Sequence, residues 1–394
     1  MALSQHTTTQ NRVTKSKATN FFFVSKFQTE ETPTLLKAQI ATMATKSEKV
    51  CIIGSGNWGS AIARIVGSNA ARLEQFDATV NMWVFEEIVD GKKLTEIINT
   101  QHENVKYMQG YALPPNVVAI PNLGEAVRGA TILIFVLPHQ FLPRLLPDVK
   151  ANLAEGARAI SLIKGIDFDE NGLVLISDTI RKGLGIDVSV LMGANVAKEV
   201  ADDDFCETTI GYSEGSEANG RVLHQLFNTP VFQVTLAPDA AGVELCGALK
   251  NIVAIGAGFC DGLGYGGNTK AAIIRIGLVE MMRFCKKFYK GVKESTFFES
   301  CGVADLITTC YGGRNRKCAE AFASSNGERQ WDDIEAELLG GQKLQGTLTA
   351  KEVHEVLVRV SAVEEFPLFT KIYNIAYEDH KVTTITDISQ PTTL

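Results

Sequence analysis

Beyond residue 47, short apolar runs alternate with stretches of helical periodicity for nearly two hundred residues. The run Val50–Ile53 predicts a strand, and the following Ser60-Ala-Ile-Ala-Arg-Ile-Val sets small and apolar side chains at helical spacing. Further strands are predicted over Thr79–Phe85, Val117–Ile120, Ala130–Val136, Arg158–Ile163, Val188–Met192, Thr208–Tyr212 and Val231–Thr235. Ala130–Val136 is apolar throughout, as a strand covered on both faces of a parallel sheet must be. From Asp239 to Tyr289 the pattern changes to Ala, Gly and Leu at helical spacing, with almost no strand signal. The pattern therefore predicts an α/β chain: a doubly wound sheet followed by an all-helical C-terminal domain. The expected division is an extension over residues 1–47, disordered or targeting, a sheet domain over 48–237 and a helical domain over 238–394. No fixed-period repeat separates them.

Glycines give the first strand its chemistry. Gly54, Gly56 and Gly59 follow it at once, with Asn57 and Trp58 between, and a helix opens behind them. Gly54 permits the tight turn, Gly56 lets a pyrophosphate approach the backbone, and Gly59 lets helix and strand pack closely. Strand, glycine turn and helix in this order predict a Rossmann-type dinucleotide site with phosphates at the helix N-terminus. Glu86 and Glu87 lie where an acid usually holds the adenosine ribose hydroxyls, although Phe85 precedes them. Acid at this corner favours NAD over NADP, with Lys92 and Lys93 as a weak counter-signal. Phe85 is assigned to the adenine and Phe141 to the nicotinamide half; each is equally readable as a core residue.

Two strand ends carry polar groups to the same edge: Lys164-Gly165 after the fifth strand and Gly193-Ala-Asn195 after the sixth. Lys250 and Asn251 sit in an apolar helical stretch, where desolvation would lower an ammonium's pKa towards the range useful for proton transfer. The segment Asp261–Lys270 is glycine-rich with no apolar strand before it, so a flexible connector is expected. In Asp305–Arg316, glycine N–H groups, hydroxyls and guanidinium groups combine into a site suited to a phosphate monoester. Gly340–Gly346, with Lys343 and Gln345, reads as a mobile loop able to close over the cleft.

The chain has 394 residues and a formal net charge of -7, which disfavours nucleic acid or an anionic membrane as its main partner. No uninterrupted apolar run reaches the ~18 residues of a spanning helix. Eight cysteines occur singly, without C-x-x-C pairs or histidines at ligand spacing, so a reduced compartment and no structural metal are expected. The extension is polar, carries Arg12, Lys15, Lys17 and Lys26, and has no acidic residue before Glu30. A disordered tail on a cytoplasmic protein is the first reading and organelle import the alternative. Met43 is a possible internal start of a complete domain.

From about Lys49 to Tyr377 the sequence resembles the cytosolic-type NAD-dependent glycerol-3-phosphate dehydrogenases. The resemblance is carried by Gly54-Ser-Gly-Asn-Trp-Gly-Ser60-Ala61, Ser161-Leu-Ile-Lys164-Gly165, Gly193-Ala-Asn195, Gly247-Ala-Leu-Lys250-Asn251 and the stretch from Cys301 to Asn315. It implies hydride exchange between NAD(H) and a phosphorylated triose, interconverting dihydroxyacetone phosphate and sn-glycerol 3-phosphate. It further implies Lys250 as the principal acid/base residue, with Lys164, Asn195, Asp305 and Thr309 around the reacting carbonyl. Arg314, Asn315 and Asn251 would hold the substrate phosphate, Lys343 and Gln345 would contact the cofactor from the closing loop, and the protein would be a homodimer. The alternatives are an NAD-dependent dehydrogenase of another hydroxy acid or sugar acid, and a non-catalytic NAD(H)-binding redox sensor.

Overall fold

A computed structural model describes residues 47–169, 172–340 and 343–388. Apart from Ser47, the predicted extension lies outside the described residues, as does the possible start at Met43. The described residues belong to one compact unit. Its sheet has eight strands: β1 (Glu48–Ile53), β2 (Phe76–Trp83), β3 (Val117–Ile120), β4 (Ile132–Phe135), β5 (Arg158–Ser161), β6 (Val188–Met192), β7 (Cys206–Gly211) and β8 (Phe232–Ala237). Their spatial order is β8-β7-β6-β5-β4-β1-β2-β3. All neighbours are parallel except β6 and β7, so β7 and β8 run against the rest. The order reverses between β1 and β4, which opens the crevice beyond their carboxyl ends where such sheets bind ligands.

Alternation along β1 explains the two faces. Val50 and Ile52 pack with Ile62 and Val66 of α1 (Asn57–Arg72) and with Leu223 and Phe227 of a helix over Glu217–Phe227. Cys51 and Ile53 point the other way, onto Leu123 and Val127 of the helix Leu123–Val127 and Leu142 and Leu146 of the helix Leu142–Ala151. Strand boundaries depart from expectation where apolarity outlasts pairing. The predicted Ala130–Val136 is strand only over Ile132–Phe135, yet Val136 stays buried and its N–H still donates to the Ile53 carbonyl of β1 at 3.0 Å. The second strand begins three residues earlier than predicted, at the buried Phe76, and leaves the sheet before Phe85.

The helical half surrounds α2 (Ala240–Gly262), which starts three residues after β8 and is capped by Asp239, whose carboxylate accepts the Gly242 N–H at 2.8 Å. This helix is long and apolar enough to cross a bilayer, but its apolar window is wholly buried inside the fold. Around it lie α3 (Gly267–Phe288), α4 (Asp305–Gly312), α5 (Arg314–Ser324), α6 (Trp331–Leu339), α7 (Gln345–Arg359) and α8 (Pro367–Tyr377). Contact with α5 is close because Gly258 and Gly262 lack side chains; a Cβ there would lie 2.3 and 2.4 Å from the Arg316 and Glu320 carbonyl oxygens.

The connector expected over Asp261–Lys270 is mostly helix. Asp261 and Gly262 finish α2, Gly267 opens α3, and Lys270 Nζ donates to Asp261 Oδ2 at 2.7 Å. Arg316 Nε reaches the same oxygen at 2.6 Å, so the segment is fixed by charge despite its glycines.

Candidate active site

The turn after β1 is shaped by what glycine leaves out. Gly54 has φ +124°, a conformation L side chains rarely adopt, and a Cβ on it would lie 2.5 Å from the Val136 carbonyl oxygen. A Cβ on Gly59 would meet the Gly54 carbonyl oxygen at 2.4 Å. Gly56 is different: nothing lies within 4 Å of its Cβ position, so its face is open. It is the N-cap of α1, which has no side-chain cap bond and no acidic residue in its first turn. The first N–H groups of α1 have no intrahelical acceptors, and no carboxylate competes for them, so the turn fits an anionic pyrophosphate. Asn57 is exposed, while Trp58 is half-buried with its ring 6.4 Å from that of Phe232.

Asn104 supports this turn from a distant loop. Its side chain is wholly buried and donates to the Ser55 carbonyl at 2.8 Å and to Ser60 Oγ at 2.9 Å. Sequence reasoning missed it, because Asn104 lies in a polar stretch with no periodic pattern.

The second centre is assembled by charge. Lys250, only 4% exposed on α2, donates through Nζ to Asp305 Oδ1 and, at 2.8 Å, to Thr309 Oγ1. Asp305 and Thr309 lie one turn apart on α4, so both face the same ammonium. Lys164, just beyond β5, donates to Asp305 Oδ2 and to the Gly193 carbonyl, each at 3.3 Å. One carboxylate therefore bridges two lysines. Burial lowers the Lys250 pKa to about 8, against the upward pull of Asp305 and with the second positive charge of Lys164 adding to the depression.

Other predicted residues fall into separate groups. Asn195 Nδ2 donates to the Glu207 carbonyl at 3.0 Å, and no hydrogen bond joins it to either lysine among the described residues. Arg314 opens α5 at an exposed position, whereas Asn315 is buried. Asn315 donates to Asn251 Oδ1 and accepts the Gly346 N–H, both at 2.9 Å, tying α2, α5 and α7 together. Gln345, expected on a mobile loop, is the first residue of α7. The helix starts there because Leu344 is buried and its N–H is held by Glu335 Oε1 at 3.0 Å. Lys343 binds Asp332 at 2.6 Å and Glu335 at 3.0 Å on α6; Gly341 and Gln342 lie outside the described residues. Phe85 and Phe141 are 70% and 46% exposed beyond β2 and β4, where an aromatic ring has room to meet a ligand. Both acids after β2 are engaged, Glu86 with Thr95 and Glu87 with Lys106 and Tyr107.

Residues 49–218 match the family described as NAD-dependent glycerol-3-phosphate dehydrogenase N-terminus, and residues 239–387 match its C-terminus. The chain is 60% identical over 337 residues to the human protein named cytoplasmic glycerol-3-phosphate dehydrogenase [NAD(+)], covering 85% of this chain and 95% of the relative. It is 61% identical over 336 residues to the glycerol-3-phosphate dehydrogenase 1-like protein of Danio rerio, with the same coverage. The solved structure of glycerol-3-phosphate dehydrogenase from Saccharomyces cerevisiae superimposes with a TM-score of 0.82 at 47% identity, covering 87% of this chain and 99% of the other. The corresponding Plasmodium falciparum structure gives 0.85 at 39% identity, covering 90% and 98%. With both halves matched, and with the glycine turn and lysine pair in place, the chain belongs to the NAD-dependent glycerol-3-phosphate dehydrogenase family.

Proposed function

We propose that this chain interconverts dihydroxyacetone phosphate and sn-glycerol 3-phosphate, using NADH in the reducing direction. The observation that carries the mechanism is the buried Lys250, held by Asp305 and Thr309 and with a pKa near 8. Bound NADH supplies the hydride for the ketone carbon. The ketone oxygen gains negative charge as this happens, and Lys250 donates a proton to it. Lys164 Nζ, on the other oxygen of Asp305, offers a second hydrogen-bond donor to the ketone oxygen as its negative charge develops. In the oxidising direction neutral Lys250 takes the hydroxyl proton.

The phosphate falls to α5. Arg314 contributes a guanidinium at its first position, beside helix N–H groups that no side chain caps. Asn315 and Asn251 align that turn with Lys250, setting the distance between phosphate and carbonyl. Gly54, Gly56, Asn57, Trp58 and Gly59 would hold the pyrophosphate, and the exposed rings of Phe85 and Phe141 would be available to its adenine and nicotinamide ends. The roles of Asn195, Lys343 and Gln345 rest on the family resemblance. Residues 48–237 and 238–394 form the two domains, a boundary supported by the Asp239 cap between β8 and α2. The working form is a cytoplasmic homodimer; import through residues 1–47 is the competing outcome, decided by localising a full-length fluorescent fusion.

The test is oxidation of NADH by the purified chain with dihydroxyacetone phosphate. Turnover that depends on this ketone and is absent with non-phosphorylated hydroxy ketones is expected. No ketone-dependent oxidation would refute the assignment.

A further inference from the structure

Beyond Lys164 the chain makes a detour before it re-enters the sheet. Asp167–Asp169 and Gly172–Val174 pair as an antiparallel hairpin whose first pair is Asp167 with Val174, and the helix Ile176–Leu184 then leads on to β6. Lys164 and Ser177 each lie three residues outside that first pair, one on the outgoing stem and one on the returning stem. Between them, Ile166 and Leu175 are buried in the core around α2 and in neither core of the sheet. The hydroxyl of Tyr289, which follows α3, donates to the Leu173 carbonyl at 3.0 Å. By packing, the detour belongs to the helical half.

The returning stem is gripped by Glu244, a wholly buried residue near the start of α2. Glu244 Oε1 accepts the Ser177 N–H at 3.1 Å, and Oε2 accepts the Ser177 hydroxyl. The helix Ile176–Leu184 has no side-chain cap of its own among the described residues, so a carboxylate from the helical half meets one of its free first-turn N–H groups. Burying a carboxylate costs free energy that an apolar contact between the same two helices would not. Its advantage is direction, because two hydrogen bonds fix where Ser177 stands along α2. Lys250 lies six residues further on in that helix, about 9 Å along its axis. Lys164, by contrast, is held loosely at the site: its two contacts, to Asp305 Oδ2 and the Gly193 carbonyl, are both 3.3 Å long, and its side chain is 33% exposed. Its place therefore depends on the backbone that carries it.

Resting on the role given to Lys164 above, we propose that Glu244 is a positioning residue for the reaction: by holding Ser177 it fixes the base of the hairpin, and through it sets Lys164 against Lys250. One helix, α2, then aligns both lysines, Lys250 directly and Lys164 through the Glu244–Ser177 grip.

The experiment is a double-mutant cycle on the full-length protein, reading kcat for dihydroxyacetone phosphate and the NADH Kd. E244L is expected to lower kcat about tenfold or more while the NADH Kd stays within about twofold. E244Q, whose amide oxygen can still accept the Ser177 N–H, should recover most of that loss. In a K164M background E244L should cost less than about twofold more, because the residue it acts through is gone. A kcat unchanged in E244L, a loss in E244Q as large as in E244L, or a loss repeated in full in the K164M protein overturns the proposal. If E244L does not fold, S177A takes its place: a loss of about threefold is expected in the unchanged background and none with K164M, and equal losses in both overturn the proposal. Full activity of K164M alone would instead refute the role of Lys164 beneath it.

Discussion

The glycine turn after β1 and the lysine–aspartate cluster around Lys250, the proposed cofactor and reaction sites, are made from different parts of the chain and break in different ways. The turn occupies a single stretch, Gly54–Gly59, and its requirement is missing atoms: a Cβ at Gly54 or Gly59 collides with backbone. The cluster draws on Lys164, Lys250, Asp305 and Thr309 from separate elements, and its requirement is charge. Adding atoms destroys the first, and removing charge destroys the second. A buried ion pair of this kind adds little net stability, because desolvation offsets the attraction. The turn is consequently tied to the integrity of the fold, whereas the cluster is tied to the reaction.

The largest effect should come from the turn. Gly54→Ala combines an unfavourable φ with a 2.5 Å contact to backbone, so a loss on the order of 3 kcal/mol in stability and loss of NADH binding are expected. Gly56→Ala is the control within the same turn: its Cβ enters open space, so the melting temperature should hold while NADH affinity drops. Thermal melts with NADH titrations check both, and equal melting temperatures for the two variants would break the distinction between turn and fold. Next, Arg314→Ala should raise the KM for dihydroxyacetone phosphate by roughly tenfold to a hundredfold with a smaller change in kcat, the signature of lost uniform binding. An unchanged KM would remove α5 from the substrate site.

The smallest effect is one of pH. Because burial holds Lys250 near 8, its acid form is present below that value and lost above it. The kcat/KM for reduction should be level below about pH 8 and fall by up to about tenfold per unit above it, while the oxidising direction rises through the same range. A reduction profile flat well beyond that range would contradict proton donation by Lys250.

The same contrast explains how much could be read in advance. Val117–Ile120 and Val188–Met192 form strands with the predicted limits, because their apolar runs coincide with their hydrogen-bonded ladders. Val136 and Phe85 show where that coincidence fails: one is buried just beyond the end of its strand, and the other is apolar and exposed. Nothing in the periodicity marks the reversal of β7 and β8, since a strand's pattern is the same in either direction. Glycines suggested a connector at Asp261–Lys270, but Lys270 and Arg316 converge on Asp261 from elements distant in sequence. Lys250 was legible as a polar residue in apolar surroundings. Asn104 and the Glu87–Lys106 pair were not, because their partners are set by tertiary approach of a loop without pattern.

The most direct test of the division between binding and chemistry is Lys250→Met, measured twice on one preparation: NADH dissociation constant and kcat for dihydroxyacetone phosphate. Methionine keeps an apolar stem in the buried position and leaves Asp305 its partner Lys164. The NADH constant should stay within about threefold while kcat falls by at least about a hundredfold. A variant that turns over at near the normal rate, or that loses NADH binding together with activity, would contradict the account.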